Sequence, residues 1–149
     1  MKTILVTGGA GFIGSHTCLV LIERGYEVYV FESFQNSSEI SLKRVSLILK
    51  SMGNDLYKNL HLFKGDIRKK EDLINLFKKV KSQGKSFSAV IHLAGLKSVR
   101  DSILHPIKYW EFNVQGTINL VQVMNAFNCR TIVFSSSASV YGTTNKLFL

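Results

Sequence analysis

The most restrictive feature of this chain is its start, where the apolar run Ile4, Leu5, Val6 breaks into Thr7-Gly8-Gly9-Ala10-Gly11-Phe12-Ile13-Gly14 and a helical pattern follows. A strand, a glycine turn and a helix start in that order let a phosphate reach the backbone. Glycine has no Cβ to block the approach, and the helix presents free N–H groups and a positive dipole end. Gly9, Gly11 and Gly14 have the spacing G-x-G-x-x-G, and the same stretch reads T-G-x-x-G-x-x-G through Thr7, Gly8, Gly11 and Gly14. Either spacing fits a dinucleotide pyrophosphate, with Gly14 allowing the helix to pack close to the strand. Glycine triplets also occur in ordinary turns; the place of this one between a strand and a helix favours the nucleotide reading.

The alternation then repeats along the chain. The first helix is predicted from about Phe12 to Arg24, stopping at Gly25, a residue suited to a left-handed C′ position. A second strand follows at Val28 to Phe31, and Glu32 at its end lies 18 residues after Gly14, where a dinucleotide fold places a carboxylate on the adenosine ribose. No Lys or Arg stands between Glu32 and Leu42 to receive a 2′-phosphate, so NAD is favoured over NADP. Asn36 with Glu39 has the pattern of a capping box, opening a second helix through Ile40, Val45, Ile48, Leu49 and Met52 that ends at Gly53. Leu60 to Phe63 reads as a third strand leading into Gly65-Asp66-Ile67. Asp66 either contacts the cofactor or caps the Lys-rich helix after it, and one acid can do both.

Ala89 to Leu93 is a fourth, buried strand, and Ala94-Gly95-Leu96-Lys97 brings backbone and then a cation to the same edge. His92 sits inside that strand and reads as a satisfied core histidine. From Pro106 one long helix is expected to about Phe127, with an apolar pattern at Tyr109, Trp110, Val114, Ile118, Val121 and Met124. A fifth strand, Thr131 to Phe134, runs into Ser135-Ser136-Ser137, residues that by themselves are common turn formers. Five strand and helix alternations without repeats or linkers predict one α/β domain over residues 1–149, a Rossmann-like doubly wound parallel sheet with helices on both faces.

Composition narrows the function classes. With 46% hydrophobic and 19% charged residues among 149, the chain can bury a core of its own. No stretch approaches the ~18 apolar residues of a membrane span, and the run at 4–6 is too short for a secretory signal, so a cytoplasmic protein without membrane contact is expected. Cys18 and Cys129 lack metal or disulfide spacing and read as small buried residues, with no metal implied. The formal charge of +9 raises nucleic acid as a partner. Against it, Leu73, Leu76, Phe77 and Val80 recur at helical spacing and put the neighbouring lysines on a solvated face, and no aromatic residues are interleaved with them. There is no P-loop, H-E-x-x-H or G-x-S-x-G, which removes the chemistries those motifs serve.

Together TGGAGFIGSHT at 7–17, Asn36-Ser37, GDIR at 65–68, VIHLAGLKSV at 90–99, NVQGT at 113–117 and FSSSASVYG at 134–142 resemble the N-terminal half of the UDP-glucose 4-epimerases, a branch of the extended short-chain dehydrogenases/reductases. The likeness runs over essentially the whole chain. Related 4,6-dehydratases carry an Asp-Glu pair before Val-Tyr-Gly, where this sequence has Ala138-Ser139. The resemblance implies an isomerase that holds NAD, removes hydride from C4 of a UDP-sugar and returns it to the other face, interconverting UDP-glucose and UDP-galactose in galactose metabolism. It also implies roles by position. Gly8, Gly11, Phe12, Ile13 and Gly14 would lie at the pyrophosphate, and Glu32, Ser33, Asn36 and Ser37 around the adenosine ribose. Asp66 and Ile67 would lie at the adenine, with Leu93, Ala94, Gly95, Lys97 and Asn113 at the cofactor. Lys97 and Ser137 would contact the substrate, Ser137 as the catalytic residue that hydrogen-bonds the reacting hydroxyl. A homodimer is implied for the full-length family member.

Two departures stand out: Glu32 occupies a position that is usually Asp in the family, and Phe112 precedes Asn113 where some members have a second Asn. The family's catalytic Tyr-x-x-x-Lys occurs nowhere in the 149 residues; Tyr141 and Lys146 are five apart, and Tyr141 already belongs to Val-Tyr-Gly. The expectation is therefore a C-terminally truncated chain, lacking the sugar-nucleotide domain and inactive alone. Another NAD-dependent nucleotide-sugar epimerase or reductase, and a non-catalytic NAD-binding module, stand as alternatives.

Overall fold

The computed structural model describes residues 1–53, 55–137, 140 and 142; Ala138, Ser139, Tyr141 and Lys146 lie outside the described residues. Five strands, β1 (Thr3–Thr7), β2 (Glu27–Glu32), β3 (Leu60–Lys64), β4 (Phe87–His92) and β5 (Ile132–Phe134), form one sheet in the order β3-β2-β1-β4-β5. Every pairing is parallel. All residues of β1 and β2 are buried, as central strands covered on both faces must be.

The alternation of side chains splits the core in two. On one face Ile4, Val6, Val28 and Val30 pack with Cys18 and Ile22 of α1 (Phe12–Glu23) and with Leu42, Val45 and Leu49 of α2 (Glu39–Ser51). On the other, Leu5, Tyr29, Phe31 and Val90 pack with Leu73, Leu76, Phe77 and Val80 of α3 (Lys70–Ser82), whose Lys78, Lys79 and Lys81 stay exposed as expected. Both cysteines are buried and free. Three helices end alike: after α1, α3 and the last helix, Gly25 (φ 81°), Gly84 (φ 72°) and Asn128 (φ 58°) turn left-handed. The next N–H then bonds back to Leu21, Val80 and Met124 respectively, closing each helix with a Schellman motif.

Three local expectations are corrected. The cap of α2 is Ser38, whose side chain accepts from the Ile40 N–H at 3.3 Å, so Asn36 and Glu39 form no capping box. Asp66 does not cap α3, whose N-cap position is Lys69 without a side-chain bond. The long helix is not uniform: α4 (Val99–Leu104) precedes it, α5 (Pro106–Tyr109) passes into a π-helical stretch at Trp110–Gln115, and α6 (Gly116–Ala126) completes it. His105, ahead of Pro106, takes φ −133° and ψ 59°, the extended bias imposed by a following proline ring, and this separates α4 from α5. The buried face of this segment runs through Phe112, Gly116, Asn119, Leu120, Val123 and Met124. Of the apolar pattern that marked this helix, Met124 is buried, whereas Trp110, Val114, Ile118 and Val121 are exposed.

Candidate functional site

Parallel strands deliver all their C-terminal ends to one edge, and here the strand order reverses between β1 and β4, the place where open α/β sheets bind ligands. Four sequence-assigned clusters follow the ends of β1 to β4 at that edge. Ser137 follows β5; its carbonyl accepts from the Val140 N–H at 3.2 Å.

The turn after β1 has no room for side chains. Gly8 takes φ +71° and donates to Phe31 O at 3.0 Å, and a Cβ there would sit 2.7 Å from the Ala94 nitrogen. Gly11 donates to Gly8 O at 3.1 Å and a Cβ on it would be 3.3 Å from that same oxygen; a Cβ on Gly14 would strike the Gly8 and Gly9 backbone. The first α1 bond runs from Ser15 N–H to Gly11 O at 2.9 Å, so the N–H groups of Phe12, Ile13 and Gly14 precede the helical ladder. No acid occupies the first turn of α1. An anion therefore meets donors and the positive dipole end with no acidic side chain in the helix's own first turn.

Glu32 is buried beside this turn. Its Oε2 accepts from the Ala10 N–H at 3.2 Å, and its Oε1 accepts from the Ser33 and Phe34 N–H groups at 3.0 and 3.1 Å. The extra methylene relative to aspartate lets one carboxylate hold the glycine turn and the β2–α2 loop together. Oε2 retains acceptor capacity for a further hydroxyl. Asn36 is exposed, while the half-buried Ser37 has a water-shielded Oγ with no partner among the described residues. Such an orphan, next to a cradle that a Cβ would fill, fits a hydroxyl-rich phosphate ligand. Ser41, which sequence reasoning missed, has its Oγ 2.7 Å from Ala10 O and 2.8 Å from Ser38 O, either of which can take its one hydrogen, and so brings α2 against the turn.

At the end of β3, Asp66 is held by Arg68. The guanidinium donates from Nη2 at 2.6 Å and from Nε at 3.1 Å, and the Arg68 N–H adds a bond of 3.0 Å. Those bonds and the Arg68 charge outweigh partial burial and keep the Asp66 carboxyl below its usual pKa. Arg68 also lies 4.0 Å over the Phe112 ring and 3.6 Å from Glu111. Ile67 beside it is buried.

The loop after β4 is braced from beneath. Leu93 N–H donates to Thr7 O at 3.1 Å and Ala94 N–H reaches Thr7 Oγ1 at 3.4 Å. Asn113 accepts from the Leu96 N–H at 2.8 Å and donates to Leu96 O at 2.9 Å, and its Oδ1 is 3.2 Å from where a Cβ on Gly95 would stand. Both polar atoms of Asn113 are thus engaged with the loop it flanks. Lys97 is exposed at the loop end. His92 is buried between Thr7 Oγ1 (2.6 Å from Nδ1) and Thr117 Oγ1 (3.0 Å from Nε2), and burial pushes its pKa down to about 4. It is a satisfied core histidine, as read from the sequence.

Among the described residues no helix is long and apolar enough to cross a membrane and no cluster of metal ligands occurs. The family described as GDP-mannose 4,6 dehydratase matches residues 5–148. A UDP-glucose 4-epimerase of Cyamopsis tetragonoloba is 48% identical over 146 residues, and a bifunctional UDP-glucose and UDP-xylose 4-epimerase of Pisum sativum 47%. In both cases the match covers 98% of this chain and 39% of the relative. The solved UDP-glucose 4-epimerase of Bifidobacterium longum, in complex with NAD+ and UDP, superposes with a TM-score of 0.86 at 38% identity, over 99% of this chain and 41% of that one. The chain thus spans about two-fifths of the length of its relatives. With a match along nearly its whole length, the chain belongs to the GDP-mannose 4,6-dehydratase family, and the relatives it resembles are UDP-glucose 4-epimerases.

Proposed function

We propose that this chain is the NAD-binding part of a cytoplasmic UDP-glucose 4-epimerase of galactose metabolism. The observation that carries the reading is the shared edge: the glycine cradle, Glu32, the Asp66 loop and Lys97 all follow the C-terminal ends of adjacent parallel strands, and the Ser137 segment follows β5. Gly8 and Gly11 would keep the turn open, and the Phe12, Ile13 and Gly14 N–H groups would bind the pyrophosphate. Glu32, Ser33, Asn36 and Ser37 would hold the adenosine ribose, and Asp66 and Ile67 the adenine. Leu93, Ala94 and Gly95 would face the cofactor, with Asn113 fixing their loop. Lys97 and Ser137 would orient the UDP-sugar hydroxyl. Bound NAD would supply a reversible hydride acceptor for C4. Ala138-Ser139, in place of the Asp-Glu of the dehydratases, favours epimerisation over dehydration.

The sequence contains no Tyr-x-x-x-Lys. Lack of a general base typically lowers a rate by about a hundred- to ten-thousand-fold, and a serine hydroxyl is too weak a base to replace it. The 149-residue chain therefore binds NAD without interconverting UDP-glucose and UDP-galactose. A second reading is a non-catalytic NAD-binding module. For a full-length family member we propose a homodimer, with the exposed Trp110, Val114, Ile118 and Val121 stripe as its apolar face, and no nucleic acid as partner. Calorimetric titration with NAD and a coupled epimerase assay on the same protein test the reading. Failure to bind NAD overturns it. Turnover that vanishes in Ser137→Ala overturns the expected inactivity, and sequence downstream of codon 149 encoding Tyr-x-x-x-Lys decides for the epimerase over the module.

A further inference from the structure

Asn119 is the polar residue on the buried face of α6. Its Nδ2 donates to Ile67 O at 3.1 Å and to Arg68 O at 2.9 Å, and its Oδ1 accepts from Gln115 Nε2 at 3.0 Å. Every hydrogen-bonding atom of the amide is used, and both donors serve one loop, the one that carries Asp66. One turn earlier, Gly116 lets the Ile67 side chain lie against the helix backbone: a Cβ there would be 2.6 Å from Ile67 Cγ2. One turn before that, Phe112 underlies the Arg68 guanidinium. Three successive turns of one helical segment thus fasten Ile67 by its carbonyl and side chain, and Arg68 by its carbonyl and guanidinium. Arg68 in turn grips the Asp66 carboxylate. What the loop can offer a ligand is then fixed in place: the Asp66 carboxylate edge and the Ile67 N–H, which donates to no described residue.

We propose that Asn119 is a positioning residue for the adenine half of the cofactor, acting through the Asp66–Arg68 loop without touching the ligand. The proposal rests on the NAD reading above. A structural residue would affect both halves of the dinucleotide alike; a positioning residue on this loop affects the adenine half alone. The test compares the 149-residue chain with Asn119→Ala and with Gln115→Ala, which leaves Asn119 in place and removes the donor that orients it from an exposed position. Affinities are measured for AMP, NAD and nicotinamide mononucleotide, and the ratio of AMP to mononucleotide affinity cancels any unfolded fraction. Leaving two loop carbonyls without their donor should weaken AMP and NAD by about tenfold in Asn119→Ala, with a smaller loss in the same direction in Gln115→Ala and the mononucleotide unchanged. An unchanged affinity ratio in both variants overturns the proposal, whatever happens to the melting temperature. Failure of the unsubstituted chain to bind AMP or NAD overturns the NAD reading and the proposal with it.

Discussion

Thr7 Oγ1 and His92 Nδ1 lie 2.6 Å apart on directly paired residues of β1 and β4, and the bond between them has one direction. Thr117 Oγ1 gives its single hydrogen to Asn113 O at 2.7 Å, so towards His92 Nε2 it accepts. Nε2 therefore carries the ring proton. The neutral ring leaves Nδ1 bare for the Thr7 hydroxyl, and Thr7 Oγ1 accepts in turn from the Ala94 N–H. One unbroken chain of donors joins the loop after β4 to the end of β1 and to α6.

His92 should accordingly be a neutral Nε2–H tautomer at pH 7, visible in the ring nitrogen shifts. Its folded pKa of about 4 is below the ordinary 6.5. The neutral state thus stabilises the fold above pH 6.5, and that contribution is lost as the pH falls from 6.5 to 4. At about 1.4 kcal/mol per unit it is on the order of 3 kcal/mol. A protonated Nδ1, or a ring that titrates near 6.5 in the folded chain, would contradict the assignment.

Acid should also undo the opposite edge of the sheet. Glu27 is buried there, with Lys85 Nζ at 2.7 Å, His61 Nε2 at 2.9 Å and Thr3 Oγ1 at 3.2 Å. Burial raises its pKa, but the bonds and charges of Lys85 and His61 outweigh burial and hold it below 4.5. Its stabilisation is present above pH 4.5 and lost below as the carboxylate takes up a proton. Glu27→Gln should cost about 1–3 kcal/mol in urea denaturation at pH 7, with a smaller deficit below pH 4. A deficit that does not change with pH would mean that shape, not charge, carries the contribution.

Cofactor choice follows from Glu32. Its carboxylate is pinned by three backbone N–H groups and cannot swing away from a 2′-phosphate, and residues 33–41 contain no cation. NAD should bind at least about tenfold tighter than NADP, and Glu32→Gln should narrow that gap. Equal affinities in the unsubstituted chain would refute this account of the end of β2.

Legibility in the sequence tracked how local each determinant is. The glycine turn, the strand ends and the α3 face depend on residues a few positions apart, and Gly8, Glu32 and the lysines of α3 could be read directly. The network below them was not readable. Asn119 reaches a loop 52 residues away and Ser41 a turn 31 residues away, and no spacing rule encodes such pairs. A polar residue at a buried helical position was the available signal for Asn119. The π turn was missed because apolar residues at helical spacing mark a helix without marking a local change of pitch; in the fold Phe112 and Gly116 are buried, and Trp110, Val114 and Ile118 are exposed.

Among the described strands, β5 is an edge of the sheet. It pairs with β4 on one side, and no described strand lies on its other side. Val133 is 57% and Phe134 53% exposed, although β5 belongs to a parallel sheet, whose strands are ordinarily covered on both faces. An apolar strand with a free row of N–H and C=O groups templates pairing with another chain. The 149-residue protein should therefore self-associate with rising concentration, seen as a growing weight-average mass in sedimentation equilibrium. Val133→Lys places a charge on the exposed strand and should shift that association to higher concentration without unfolding β1 or β2, whose residues it does not join in the central core. A monomer at all concentrations would refute the association, and an association untouched by Val133→Lys would locate the sticky surface elsewhere, with the exposed Trp110, Val114 and Ile118 face of the helix as the next one to substitute.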